Sequence, residues 1–225
     1  MYRIRVVMGV LKVIPLLLVM LSGLASSSSA QSGPEGFKPV DRRDELVDKL
    51  NARSATIETI VSSFTQKKQL EFLDETIVSR GRFWFRRENH LRWAYEEPFQ
   101  YAIIINGGRF YIKDGESVST YDMDTNETFR EINDMIIGVV RGNVLREEKF
   151  DMSAFENRDR YLVSLVPKES GLRNVISAME IYFDKADLTV SEIIMRESKT
   201  DFTMITFFDK RFNETIPDLL FSADL

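Results

Sequence analysis

The chain has 225 residues, 44% hydrophobic and 29% charged, which is ordinary globular material with one domain as the simplest division. It has no cysteine and one histidine, which excludes a disulfide scaffold, thiolate metal sites, cysteine catalysis, thioether lipid anchoring and any site that needs two imidazoles. A net charge of −5 lacks the basic footprint of a nucleic-acid binder, so no nucleic acid is expected as a partner.

Residues 1–30 read as an export signal. Arg3, Arg5 and Lys12 form a basic start, an apolar run follows from 13 to 24, and Ser28 and Ala30 fit a cleavage site. The apolar run is short for a membrane span and is followed by small polar residues. Cleavage near Ala30 removes three basic and no acidic residues, leaving 27 against 35, a net charge of −8. A periplasmic, soluble protein is expected. Residues 31–40, with Ser, Gly and Pro, read as a flexible leader, and 41–225 as one domain.

Residues 41–53 read as a helix, with Leu46, Val47 and Leu50 on one stripe and Asp41 or Asp44 as cap. From Thr59 the apolar period becomes two. Residues 59–72 make one long strand. Residues 75–87 alternate, with Ile77, Phe83 and Phe85 on one parity, and Leu91, Trp93 and Tyr95 continue the alternation after a turn at Asn89. Residues 101–106 are apolar on both parities, which reads as a strand buried on both faces. Asn106-Gly107-Gly108 is a hairpin turn into 110–113, and Lys113-Asp114-Gly115 turns into 117–122.

Residues 133–143 (NDMIIGVVRGN) interrupt this pattern. They read as a short helix with Met135, Ile136, Val139 and Val140 on an apolar stripe and Gly142 at its end. Strands then follow at 149–156, 160–167, 176–184, 190–198 and 202–212, with a last short one near 219–223. About eleven or twelve antiparallel strands in this order make a barrel, a sandwich or one strongly curved sheet.

Catalytic chemistry is thin. His90 sits in a turn beside Arg86, Arg87 and Arg92, a company that holds its pKa down and reads as a surface position. Glu96-Glu97 and Glu147-Glu148 are adjacent in sequence, and strand neighbours point to opposite faces, so neither pair makes an acid/base dyad. There is no phosphate-binding loop, nucleophile elbow or calcium loop. The expectation is a protein that is not an enzyme and carries no metal and no cofactor.

Several motifs stand in one order between Ser63 and Tyr111. Ser63-Phe64-Thr65-Gln66-Lys67 is followed by Gly81-Arg82-Phe83-Trp84-Phe85-Arg86-Arg87, then Leu91-Arg92-Trp93-Ala94-Tyr95, Glu97-Pro98, the apolar run 103–106 with Gly107, and Phe110-Tyr111. This order and spacing resembles the LolA family, periplasmic carriers that take lipoproteins from the inner to the outer membrane of Gram-negative bacteria. After Arg87 the family usually has proline, and here Glu88 stands in its place. The agreement is looser beyond this stretch.

The resemblance implies an incomplete, half-open antiparallel β-barrel of about eleven strands, mainly β, with a few helices covering the concave face. It implies a hydrophobic cavity for lipoprotein acyl chains, with Phe83, Phe85, Leu91, Trp93, Met135, Ile136, Val139 and Val140 as lining candidates. Arg87 matches the family arginine that bonds the lid and holds the empty form closed, and Trp84 and Arg86 would face away. The implied partners are an inner-membrane lipoprotein-releasing transporter and an outer-membrane acceptor lipoprotein, with the carrier itself a monomer. Carriage of another lipid or glycolipid, or a periplasmic sensor or interaction domain, are alternatives on the same fold.

Overall fold

The computed structural model describes residues 33–72, 75–125, 137–138, 149–169, 173 and 176–224. Residues 1–30, expected as an export signal, and all of the 133–143 segment except Ile137 and Gly138, lie outside them. One long helix, α1 (Arg43–Ala55), precedes most of the sheet. Asp44 and Glu45 in its first turn and Arg53 in its last complement the helix dipole. Neither Asp41 nor Asp44 caps it: Arg42 holds the N-cap position and no side chain bonds there.

Twelve strands follow the two-residue period: β1 (Lys38–Pro39), β2 (Thr59–Gln69), β3 (Ile77–Arg86), β4 (His90–Glu97), β5 (Tyr101–Asn106), β6 (Arg109–Asp114), β7 (Ser117–Asp122), β8 (Phe150–Glu156), β9 (Arg160–Pro167), β10 (Ala178–Asp184), β11 (Val190–Arg196) and β12 (Phe202–Phe212). They form one antiparallel sheet in the order β1-β8-β9-β10-β11-β12-β2-β3-β4-β5-β6-β7. Two meanders, β2 to β7 and β8 to β12, are joined where β12 pairs with β2. The sheet is open, with β1 and β7 as its edges, so the barrel is incomplete as expected.

Two expectations are corrected. The leader is not wholly without structure: Lys38 and Pro39 pair with Glu156 and Phe155, and Phe37 lies edge-on to Tyr182. The last segment, expected as a strand near 219–223, is a 3-10 helix at Asp218–Phe221, whose neighbouring carbonyls accept from the Arg92, Asn106 and Lys113 side chains instead of from a strand ladder. Among the described residues, no helix is long and apolar enough to cross a membrane.

The register sorts side chains onto two faces. The face that carries α1, here the inner face, holds a continuous apolar row. Leu46, Val47 and Leu50 of α1 pack on Ala154, Val163, Leu165, Met179, Ile181, Phe183 and Ile193 of β8–β11. The row continues onto β12 and β2–β6 as a second cluster, which includes Phe64, Phe83, Phe85, Leu91, Trp93, Tyr95, Ile105, Phe110 and Ile205. Phe207 and Met195 touch both clusters. On the outer face, Trp84 is buried beneath Ile216 and Phe221 of the C-terminal segment. The apolar residues of both parities on β3–β5 are therefore explained by covers on both sides.

Gly81 marks a close strand contact. It faces Tyr95 next to a register shift, and a Cβ there would lie 2.0 Å from the carbonyl oxygen of Ala94. Since that oxygen belongs to the backbone, the two strands must part. Gly81→Ala is expected to lower the unfolding free energy by about 3 kcal/mol, read as an earlier midpoint in urea. An unchanged midpoint would mean that the strand pair relaxes freely.

Candidate functional site

The inner aromatic cluster forms because β2, β3, β4 and β5 place like parities in register. Phe83 lies opposite Ser62 on β2 and Trp93 on β4, Phe85 opposite Ile60 and Leu91, and Trp93 and Leu91 opposite Ile103 and Ile105 on β5. All four strand residues expected to line a cavity thus stand together, and all are buried. Trp93 is ringed edge-on by Phe64, Phe83 and Phe207, with centroids at 5.3, 5.3 and 6.0 Å. Met135, Ile136, Val139 and Val140 lie outside the described residues. Ile137, from the same stretch, is helical, buried and packed in this cluster. Ile137, from the long β7–β8 connection, therefore packs on the aromatic half of the face, as Leu46, Val47 and Leu50 of α1 pack on the other half.

Arg87, directly after β3, reaches the end of α1. Its Nη2 donates to the Ser54 carbonyl at 2.8 Å and its Nε to the Ile57 carbonyl at 2.6 Å. Its backbone N–H donates to the Glu58 carbonyl at 2.9 Å, and the Glu58 carboxylate lies 3.6 Å from Nε. A helix leaves its last carbonyls unpaired and its C-terminal end partially negative, so a guanidinium fork suits this place. Glu88 in place of proline leaves this contact intact. Trp84 and Arg86 point the other way. Arg86 Nη1 bonds Asp218 at 2.5 Å, and its guanidinium lies 4.8 Å from the Phe221 ring.

Polarity rises along the inner face away from Arg87. The Tyr95 hydroxyl donates to Gln66 Oε1 at 2.9 Å, and its ring stacks on Tyr101 at 4.2 Å. Burial pushes the Tyr95 hydroxyl well above its ordinary pKa, so it stays a donor. Beyond it, Lys68 Nζ pairs with Glu197 at 3.1 Å, both nearly buried, and Thr203 donates to the same carboxylate at 3.4 Å. Gln66 and Tyr95, which belong to the sequence motifs, join the site although their residue types did not single them out for it. Their parity with Phe64 and Trp93 is the signal that would have placed them. The described residues contain no group of three His, Asp or Glu placed to hold a metal.

His90 opens β4 half-buried, with Phe221 edge-on at 5.5 Å, instead of lying free in a turn. Burial first, then the Arg86 charge, hold its pKa below 6.5. A base whose folded pKa is depressed contributes stability that is present above its unfolded pKa and lost as pH falls through the folded value. The melting temperature is expected to fall below pH 6.5 more steeply in the wild type than in His90→Gln. Parallel pH profiles would place the acid sensitivity in other groups.

The family model for the outer membrane lipoprotein carrier protein LolA matches residues 55–224. No curated protein matches the chain. Among solved structures, a LolA superfamily protein from Nitrosomonas europaea is 10% identical, with a TM-score of 0.43 over 81% of this chain and 98% of that one. The Pseudomonas aeruginosa MucA/MucB complex contains a chain that is 12% identical, with a TM-score of 0.50 over 79% of this chain and 60% of that one. LprF from Mycobacterium bovis is 9% identical, with a TM-score of 0.44 over 80% and 97%. At such identities the likeness concerns the fold alone. The family match runs well past the motif-bearing stretch, through the second meander to the C-terminal segment.

Proposed function

Because the chain belongs to the LolA family, we propose that it is a periplasmic carrier that takes up lipoprotein acyl chains on its inner face and hands them from the inner to the outer membrane. The observation that carries this reading is the aromatic half of that face. Phe64, Phe83, Phe85, Leu91 and Trp93 form one apolar floor. Its cover includes Ile137, which belongs to a separate connection and not to a second sheet.

The energetics suit the task. Burying one CH₂ is worth about 0.8 kcal/mol, so a chain of about fifteen carbons has on the order of 12 kcal/mol to gain as an upper limit. Displacing the cover and breaking the Arg87 bonds to α1 subtract from that gain, and a carrier must release what it binds. The donor would be an inner-membrane lipoprotein-releasing transporter and the recipient an outer-membrane acceptor lipoprotein.

The test is binding of an apolar fluorophore and its displacement by an acyl lipid. Both are expected, and Trp93→Ala should weaken the fluorophore about ten-fold or more through the lost ring area. If the folded wild type binds no fluorophore, or Trp93→Ala binds as well as the wild type, these rings are ordinary core and the proposal fails.

A further inference from the structure

Trp93, a member of the apolar floor, carries an unanswered polar group. Its side chain is 8% exposed, and among the described residues its indole Nε1 has no hydrogen-bond partner. Its ring neighbours are Phe64, Phe83 and Phe207. Aromatic faces are weak acceptors, and a buried N–H without an acceptor keeps its desolvation cost. Native folds rarely leave such a donor without a reason.

The surroundings of this N–H are not symmetric. Towards the Arg87 turn the next layer is wholly apolar: Phe85, Leu91, Ile105 and Phe110, in register across β3–β6. In the opposite direction, two residues along each strand, or about 7 Å, Tyr95 and Tyr101 face each other. The Tyr95–Gln66 hydrogen bond and then the Lys68–Glu197 pair with Thr203 follow. The face therefore passes from hydrocarbon to hydrogen-bonding groups along one axis, and Trp93 stands at the boundary. An acyl amphiphile has the same order: chain, carbonyl, polar head.

We propose that the inner face binds acyl cargo in one orientation, with the ester or amide carbonyl accepting the Trp93 indole N–H, the polar head over Tyr95, Gln66 and Lys68, and the chain on the apolar side. This rests on the acyl-carrier reading and adds to it a polarity and a recognition residue. The carbonyl answers the donor only in the loaded form, so cargo with a carbonyl at the head of its chain gains over bare hydrocarbon. Tyr95 stays protonated and Lys68 remains paired in the empty form, so the head end is already polar before cargo arrives.

The experiment uses the full-length protein and two probes of matched chain length, methyl palmitate and hexadecane, each displacing an apolar fluorophore. Trp93→Phe keeps the ring and removes the donor. It should weaken methyl palmitate about three- to ten-fold, the range of one neutral hydrogen bond, and leave hexadecane unchanged. Equal changes for both probes, or none, overturn the donor role.

In a second arm, Trp84→Phe leaves Trp93 as the only tryptophan. Methyl palmitate with bromine next to the carbonyl should quench its fluorescence more than the ester brominated at the chain terminus. The reverse order, or equal quenching, overturns the orientation. If neither probe displaces the fluorophore from the wild type, the acyl-carrier reading itself fails and this inference with it. If both displace it and Trp93→Phe makes no distinction, only this inference fails.

Discussion

Arg87→Leu is expected to leave the fold intact, tighten cargo binding and slow its release by about ten-fold or more. Arg87 makes two charge-assisted hydrogen bonds to the Ser54 and Ile57 carbonyls, and its guanidinium lies at the negative end of the α1 dipole. Bonds of this kind contribute about 1.5–3 kcal/mol each. Leucine removes them without disturbing the β3–β4 ladder, since Arg87 lies just past Arg86, the last residue of β3. In the carrier reading these bonds belong to the covered, empty form, so their loss raises the relative population of the open form. Amides at the end of α1 should exchange hydrogen faster, and transfer of cargo to an acceptor should slow. Arg86→Leu is the control, because its partners Asp218 and Phe221 lie on the other face. Equal effects of the two variants, or faster release from Arg87→Leu, would place the latch elsewhere.

Phe221→Ala should cost about 3–5 kcal/mol of stability, a drop on the order of 10 °C in melting temperature for a domain of this size. Phe221 is 1% exposed and is the central side chain of the outer-face cover. It packs with Trp84 and Ile216, meets His90 edge-on and lies under the Arg86 guanidinium. The backbone around it is tied to three strands. Asn106 donates to the Phe221 carbonyl at 3.0 Å, Lys113 to that of Ala223 at 3.1 Å, and Arg92 reaches the Leu220 and Ser222 carbonyls at 3.4 Å. Truncating the ring opens a cavity beside Trp84 and loosens this strap. Acyl binding on the inner face should change little, which separates a stability residue from a binding one. A loss below about 1 kcal/mol would mean that the segment packs loosely and that Trp84 is buried by other contacts.

The strands were legible because their apolar period is two and two of their turns carry Asn-Gly or Asp-Gly; Gly107, Gly108 and Gly115 adopt positive φ. The parity of Phe83, Phe85, Leu91 and Trp93 was legible for the same reason, and so was the outward direction of Trp84 and Arg86. What covers the outer face was not. Residues 213–224 are short, contain Pro217 and lack a long period, and their docking depends on carbonyls that meet Arg92, Asn106 and Lys113 from distant strands. Lys38 and Pro39 were missed because two residues carry no periodicity, and only their partner strand β8 defines them. The Arg87 acceptors were expected on a covering helix, and they are Ser54 in the last turn of α1 and Ile57 just past it. The choice of helix was not readable, since it depends on where the β3–β4 turn falls beneath α1.

The most direct measurement is mass spectrometry, under native conditions, of the full-length protein purified without detergent from the cell envelope of its own organism. An acylated molecule is expected bound to a fraction of the protein, with that fraction larger for Arg87→Leu than for Arg86→Leu. Wild-type and Arg87→Leu protein that both emerge free of any acyl-bearing species would overturn the carrier function.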